Sequence, residues 1–174
     1  MIIVSYTIEI MDMTIKLVRA GLLGFISLSF PAILSAETAP LLERDQLAMG
    51  GGLAINSVGQ SSVDDELGFQ VFVAYELPTV NVLKYVNSSI ELGYMDYGFN
   101  GNDTNGLWAN FVLDGAIKSQ WGWLARIGLD LGDDSGFMLG AGASYELSPQ
   151  LSLRAEYVVR DEIDSIQLNV LQRF

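Results

Sequence analysis

The residues able to do chemistry in this chain are charged side chains set singly among small and apolar neighbours: Glu76, Glu91, Asp114, Lys118, Arg126, Asp130, Glu146, Arg154 and Glu156. Carboxylates and cations spaced in this way can pair as salt bridges, relay protons or pass ions. They cannot support Ser–His or Cys–His nucleophilic catalysis, because the 174 residues include no histidine and no cysteine. The same absences exclude histidine metal sites and a disulfide framework. A net charge of −12 argues against nucleic acid, whose phosphates select basic surfaces. No cofactor and no catalytic residue is expected. A second acidic set, Asp64, Asp65, Glu66, Asp133 and Asp134, falls in turn-like segments. Clustered carboxylates can hold Ca²⁺ or Mg²⁺, but solvated acidic loops are the plainer expectation.

The elements that carry these charges are legible in "WLARIGLDLG", residues 123–132. Trp123, Ala125, Ile127, Leu129 and Leu131 share one parity; Arg126 and Asp130 share the other with Gly128 and Gly132. In a helix, two glycines would cost about 2 kcal/mol relative to alanine, and the apolar residues would circle the axis. Strict alternation is the period of a strand with two unlike faces. The pattern recurs over 47–55, 67–77, 89–97, 107–118, 137–147, 151–159 and 165–174, giving eight strands in all. Turn-forming stretches such as "GQSS", "NGNDTNG", "GDDSG" and "LSPQ" fall between them. The expected fold is all-β, an eight-stranded antiparallel up-and-down barrel.

Two barrels fit that pattern. A soluble lipocalin-like barrel turns its apolar parity inward, and a membrane barrel turns it outward. The polar parity here is mostly Gly, Ala and Ser with isolated charges of both signs, which suits a narrow lumen. An Arg or Lys facing lipid near mid-bilayer costs roughly 2–4 kcal/mol. Three such residues would consume most of a stability of about 5–15 kcal/mol. The nine charges are therefore expected inside, as a lumen network. With strands alternating in direction, Tyr75, Trp121, Trp123, Tyr145 and Phe174 gather at one rim. Tyr94, Tyr97, Trp108, Phe137 and Tyr157 gather at the other, and two such girdles are what membrane interfaces select.

The N-terminus carries an export signal. Lys16 and Arg19 form a basic segment, Ala20–Phe30 an apolar one, and Pro31–Ala36 a small-residue end. Residues 1–36 are expected to be a cleaved signal peptide, with the start at Met11 or Met13. Residues 37–46 then form a short linker and 47–174 the barrel.

With its alternating strands, "IELGYMDYG" (90–98) and the terminal "SIQLNVLQRF" (165–174), the chain resembles the small outer-membrane β-barrel family. That family includes the OmpA transmembrane domain and the OmpX-like proteins. The resemblance spans about residues 44–174. It implies residence in the outer membrane among lipids and lipopolysaccharide, a monomer, and Phe174 as the signal for the assembly machinery. Gln172 departs from the pattern, since an aromatic or aliphatic residue is usual there. The resemblance also implies a periplasmic N-terminus, which makes "PTVNVLKYVNS" a long periplasmic turn and leaves the outer loops short. The peptidoglycan-binding half of larger relatives is expected to be absent. Enzymes among outer-membrane barrels carry a catalytic histidine, which this chain lacks. The functional expectation is a structural, envelope-integrity barrel whose lumen is closed by charge pairs. The alternatives are a narrow pore or small-ligand transporter, and a soluble periplasmic ligand-binding barrel.

Overall fold

The computed structural model describes residues 42–59, 64–80, 82–99 and 104–174; the expected signal peptide lies outside them. A single 3₁₀ turn, Arg44–Gln46, leads into eight strands. These are β1 (Leu47–Val58), β2 (Glu66–Glu76), β3 (Asn87–Asp96), β4 (Asn105–Lys118), β5 (Trp121–Asp130), β6 (Gly136–Ser148), β7 (Leu151–Val159) and β8 (Ile163–Arg173). Every strand is antiparallel to the next, and β1 pairs with β8 as well as β2, which closes the barrel. Gly51 thus lies between Val71 of β2 and Val170 of β8. Closure leaves no sheet edge unpaired. The end where β1 begins and β8 finishes is called proximal here, and the opposite end distal.

The eight expected strands are all present, with shifted ends. β1 runs on to Val58, β3 starts at Asn87, and β5 begins at Trp121 and stops at Asp130. Two register shifts interrupt the ladders at the proximal end, at Ala116/Lys118 between β4 and β5 and at Glu146/Ser148 between β6 and β7.

The faces are inverted relative to a water-soluble protein. Leu67, Leu107, Ile166 and Phe137 are 62–77% exposed on the outer wall. Glu91, Asn169, Arg126 and Asp130 are at most 3% exposed inside. An outer surface this apolar fits hydrocarbon, where every backbone group must already be bonded within the barrel. The lumen holds its own small apolar cluster, with Phe72, Met95, Trp108, Met138, Val158 and Leu171 as its larger members. An eight-stranded barrel is just wide enough for side chains to fill.

Candidate functional site

Alternation delivers Glu91 from β3, Arg126 and Asp130 from β5, and Arg154 and Glu156 from β7 into the lumen, and Arg160 follows just beyond β7. In the proximal half, Arg154 Nη1 donates to Glu91 Oε1 at 2.5 Å. Arg126 Nη2 lies 3.3 Å from Glu91 Oε2 and also pairs with Glu156 Oε2. Asn169 Nδ2 donates to the other oxygen of Glu156 at 3.0 Å, and Gln70 Nε2 bridges Gln167 and Asn169. Glu91 therefore serves two cations and Glu156 one, with an amide at its second oxygen.

A second tier lies distally. Arg160 Nε donates to Asp130 Oδ2 at 3.1 Å, and the Tyr97 hydroxyl donates to the same oxygen. Arg160 Nη1 donates to Ser165 Oγ at 2.7 Å, and Ser165 donates in turn to Asn56 Oδ1 at 2.5 Å. Asn56 closes the chain on the Tyr97 carbonyl at 2.7 Å. Three carboxylates thus meet three guanidiniums across the two tiers, so the ion-pair network itself is neutral. All three cations are arginine, whose planar fork stays charged and can serve several acceptors. Buried ion pairs survive when charged partners and hydrogen bonds stand in for water; Arg154 and Arg160 have both, whereas Arg126 has charged partners alone.

Aromatic packing adds to the occlusion. The Phe72 and Trp108 rings stand 5.6 Å apart, and the Arg126 guanidinium lies 5.6 Å from the Trp108 ring. Gly93 makes room for this pair, since a Cβ there would lie 2.4 Å from Trp108. Trp108 was expected at the membrane interface, but it is 1% exposed in the lumen. Its parity is that of Asn110 and Val112, both buried, so alternation outranks its aromatic type. Tyr97 departs from expectation for a similar reason: it is buried as the ligand of Asp130.

Four of the nine expected lumen charges stand outside the buried network. Glu76 pairs with Arg173 at 3.4 Å at the proximal mouth, where both are partly exposed. Asp114 accepts from Asn87 Nδ2 at 3.1 Å. Lys118 is exposed because the register shift after Ala116 sets it opposite Trp121, outside the inward alternation. Glu146 keeps inward register opposite Ser152 but sits at the rim, exposed. A polar cavity of about 140 Å³ opens among Asp114, Lys118, Glu146, Ser152 and Arg154.

Of the remaining aromatic residues, Trp121 and Tyr145 stack at 4.9 Å at the proximal rim. Tyr75 and Trp123 are half-buried at the same end. Tyr94 lies 6.4 Å from Phe69, Phe137 is 77% exposed, and Tyr157 donates to Asp164 at 2.8 Å, all towards the distal end. Phe174 is half-exposed beyond β8, its amide donating to the Leu47 carbonyl at 3.1 Å.

Two of the five loop carboxylates are structural. Asp134 accepts from the Glu162 and Ile163 amides, both at 2.9 Å, and Asp133 accepts from the Asn105 amide at 3.0 Å. Burial raises the Asp134 pKa above the ordinary carboxylate range, while those two amides and Arg160 oppose the shift. Asp64 and Asp65 are exposed and Glu66 is half-buried. No cluster of three or more metal-ligating side chains occurs among the described residues.

The sequence pattern did not single out Phe72, Asn56, Ser165 or the Gln70–Gln167–Asn169 bridge. Each sits on the inward parity of its strand, which was the available signal. Chemically, the assembly is a set of buried ion pairs in which Arg126 meets Glu91 and Glu156 by charge, without a hydrogen bond from its guanidinium. It can close a lumen.

No family model and no curated protein matches this chain. Solved structures share its fold. A de novo designed transmembrane β-barrel superposes with a TM-score of 0.53 at 16% identity, covering 77% of this chain and 100% of that one. Neisserial surface protein A gives 0.49 at 15% identity, covering 74% and 97%. Ail, the attachment invasion locus protein of Yersinia pestis, also gives 0.49, at 14% identity over 74% and 97%. At 16% identity the likeness to the designed transmembrane barrel is one of fold alone.

Proposed function

We propose that this chain is an outer-membrane β-barrel protein with a structural, envelope-integrity role and a lumen closed by its own ion pairs. The supporting observation is the neutral set of Glu91, Asp130 and Glu156 against Arg126, Arg154 and Arg160, packed with Phe72 and Trp108. An ion crossing the barrel would have to part these contacts in a low-dielectric interior, where each unpaired charge costs several kcal/mol, of order 3–5 kcal/mol for a broken pair. In this reading the outer wall faces lipids and lipopolysaccharide. The proximal end is periplasmic, residues 1–36 are removed on export, and β8 with Phe174 engages the assembly machinery. The protein acts as a monomer and not as an enzyme.

Planar-bilayer recording of the refolded protein tests the closed lumen. The expected result is a silent bilayer; reproducible single-channel steps would replace this reading with that of a narrow pore. Fractionation tests the location. Recovery in the membrane fraction with heat-modifiable gel mobility is expected, and recovery in an osmotic-shock fraction without detergent would point to a soluble periplasmic barrel.

A further inference from the structure

The loop joining β2 to β3 leaves the barrel sideways. Ser88 shows this through its parity: it lies opposite Leu113 on the outward face, in step with Ile90 and Leu92. Those two are 43% and 53% exposed, yet Ser88 is only 4% exposed. Its hydroxyl donates to the Val80 carbonyl, so the loop covers the outer wall at that point. Two further backbone bonds hold it, Val80 N to Leu77 O at 3.0 Å and Val86 N to Leu83 O at 3.3 Å.

What the loop then presents is apolar. Val82 is 53% exposed, Leu83 56% and Tyr85 85%. Tyr85 is the one non-glycine with positive φ among the described residues, at 66°. An aromatic residue rarely adopts that conformation, and persistent backbone strain tends to mark functional positions. Lys84 Nζ stands 4.9 Å from the Tyr85 ring. The other proximal connections differ: Ser119–Gln120 and Pro149–Gln150 are short polar turns.

We infer that the β2–β3 loop is a lateral anchor seated at the headgroup–acyl boundary of the proximal bilayer leaflet, with membrane lipid as its occupant. This rests on the membrane-spanning reading of the barrel and goes beyond it. The loop's apolar residues continue the outer-wall belt at the point where Val80 meets Ser88. Tyrosine with an adjacent lysine is the side-chain chemistry that lipid interfaces select: the ring sits at headgroup level and the amine reaches phosphate. Interfacial binding of this kind buries apolar side chains shallowly and couples to anionic headgroups. Because the other two proximal turns are short and polar, the anchoring is one-sided.

The cysteine-free chain permits single spin labels. Leu83→Cys, Leu129→Cys on the barrel wall and Gln150→Cys in a polar turn are each labelled and reconstituted in vesicles of phosphatidylcholine and phosphatidylglycerol. Heat-modifiable mobility verifies folding. Collision rates with oxygen, which prefers lipid, are compared with those of a water-soluble nickel chelate. Oxygen should dominate strongly at 129, the chelate at 150, and the label at 83 should fall between them on the lipid side. A label at 83 as chelate-accessible as that at 150, with 129 still in lipid, overturns the anchor alone. Chelate access at 129 as well overturns the anchor together with the membrane reading beneath it.

Discussion

Arg126 and Glu91 face each other 3.3 Å apart from β5 and β3, strands that share no ladder hydrogen bond. Only β4 stands between them, so this contact bridges next-nearest strands, while Arg154 on β7 reaches the same Glu91 from the opposite side of the closed barrel. Arg126 also holds Glu156, whose Oε2 has no hydrogen-bond partner, whereas Glu91 keeps Arg154 in any case.

Removing Arg126 should consequently strand Glu156 more than Glu91. Arg126→Leu is expected to destabilise the barrel by about 3–5 kcal/mol, the usual loss when one partner of a buried pair is deleted. Leu129→Ala, on the 44% exposed outer wall, should cost less because it opens no interior cavity. Adding Glu156→Gln to Arg126→Leu should restore part of the loss. Urea unfolding in detergent gives all three values, and equal losses for Arg126→Leu and Leu129→Ala would show the guanidinium to be hydrated and unpaired.

Alternation alone placed the eight strands, and the magnitude of burying charge against lipid placed Arg126 and Asp130 inward. Two kinds of feature escaped it. Rims depend on local irregularities: the shift after Ala116 displaces Lys118, and a bulge leaves little trace in a two-residue period. Residue type also misled where it competed with position, as at Trp108, which looks like an interface residue but has lumen parity. The pairing of specific ions across the barrel depends on strand stagger, which no single segment encodes.

The Phe72–Trp108 contact makes a steric prediction. A Cβ at Gly93 would stand 2.4 Å from Trp108 and 2.9 Å from Phe72 Cβ, with Arg126 already over the indole. Gly93→Ala should destabilise by about 1–3 kcal/mol, as overpacking does. Gly59→Ala, where a Cβ meets nothing within 4 Å, is the control and should be near neutral. The difference in unfolding midpoints between the two variants checks it.

Asp134 predicts a pH effect of defined sign. Burial holds its folded pKa above the unfolded value, so on acidification the folded protein takes up this proton first. Between those two pKa values the folded state binds more protons, and stability rises as pH falls through the window. Above the folded pKa that contribution is lost. Asp134→Asn removes the titration, so the stability of the natural protein relative to this variant should increase on acidification through the window. Paired unfolding curves at several pH values measure this, and a relative stability that falls towards acid would contradict it.

The two tiers of the lumen share no residue in their hydrogen bonds or ion pairs: Glu91, Arg126, Arg154 and Glu156 form one, Tyr97, Asp130 and Arg160 the other. Groups without shared partners should contribute additively, within about 0.5 kcal/mol. Tyr97→Phe deletes one hydrogen bond from the distal tier, and Glu156→Gln neutralises one acceptor in the proximal tier. The first should cost about 0.5–1.5 kcal/mol and the second more, because Arg126 loses one of its two charged partners. In a double-mutant cycle the pair should sum. A coupling energy above about 1 kcal/mol would mean that the tiers rearrange together, so that the lumen has one closure where the contacts describe two in series.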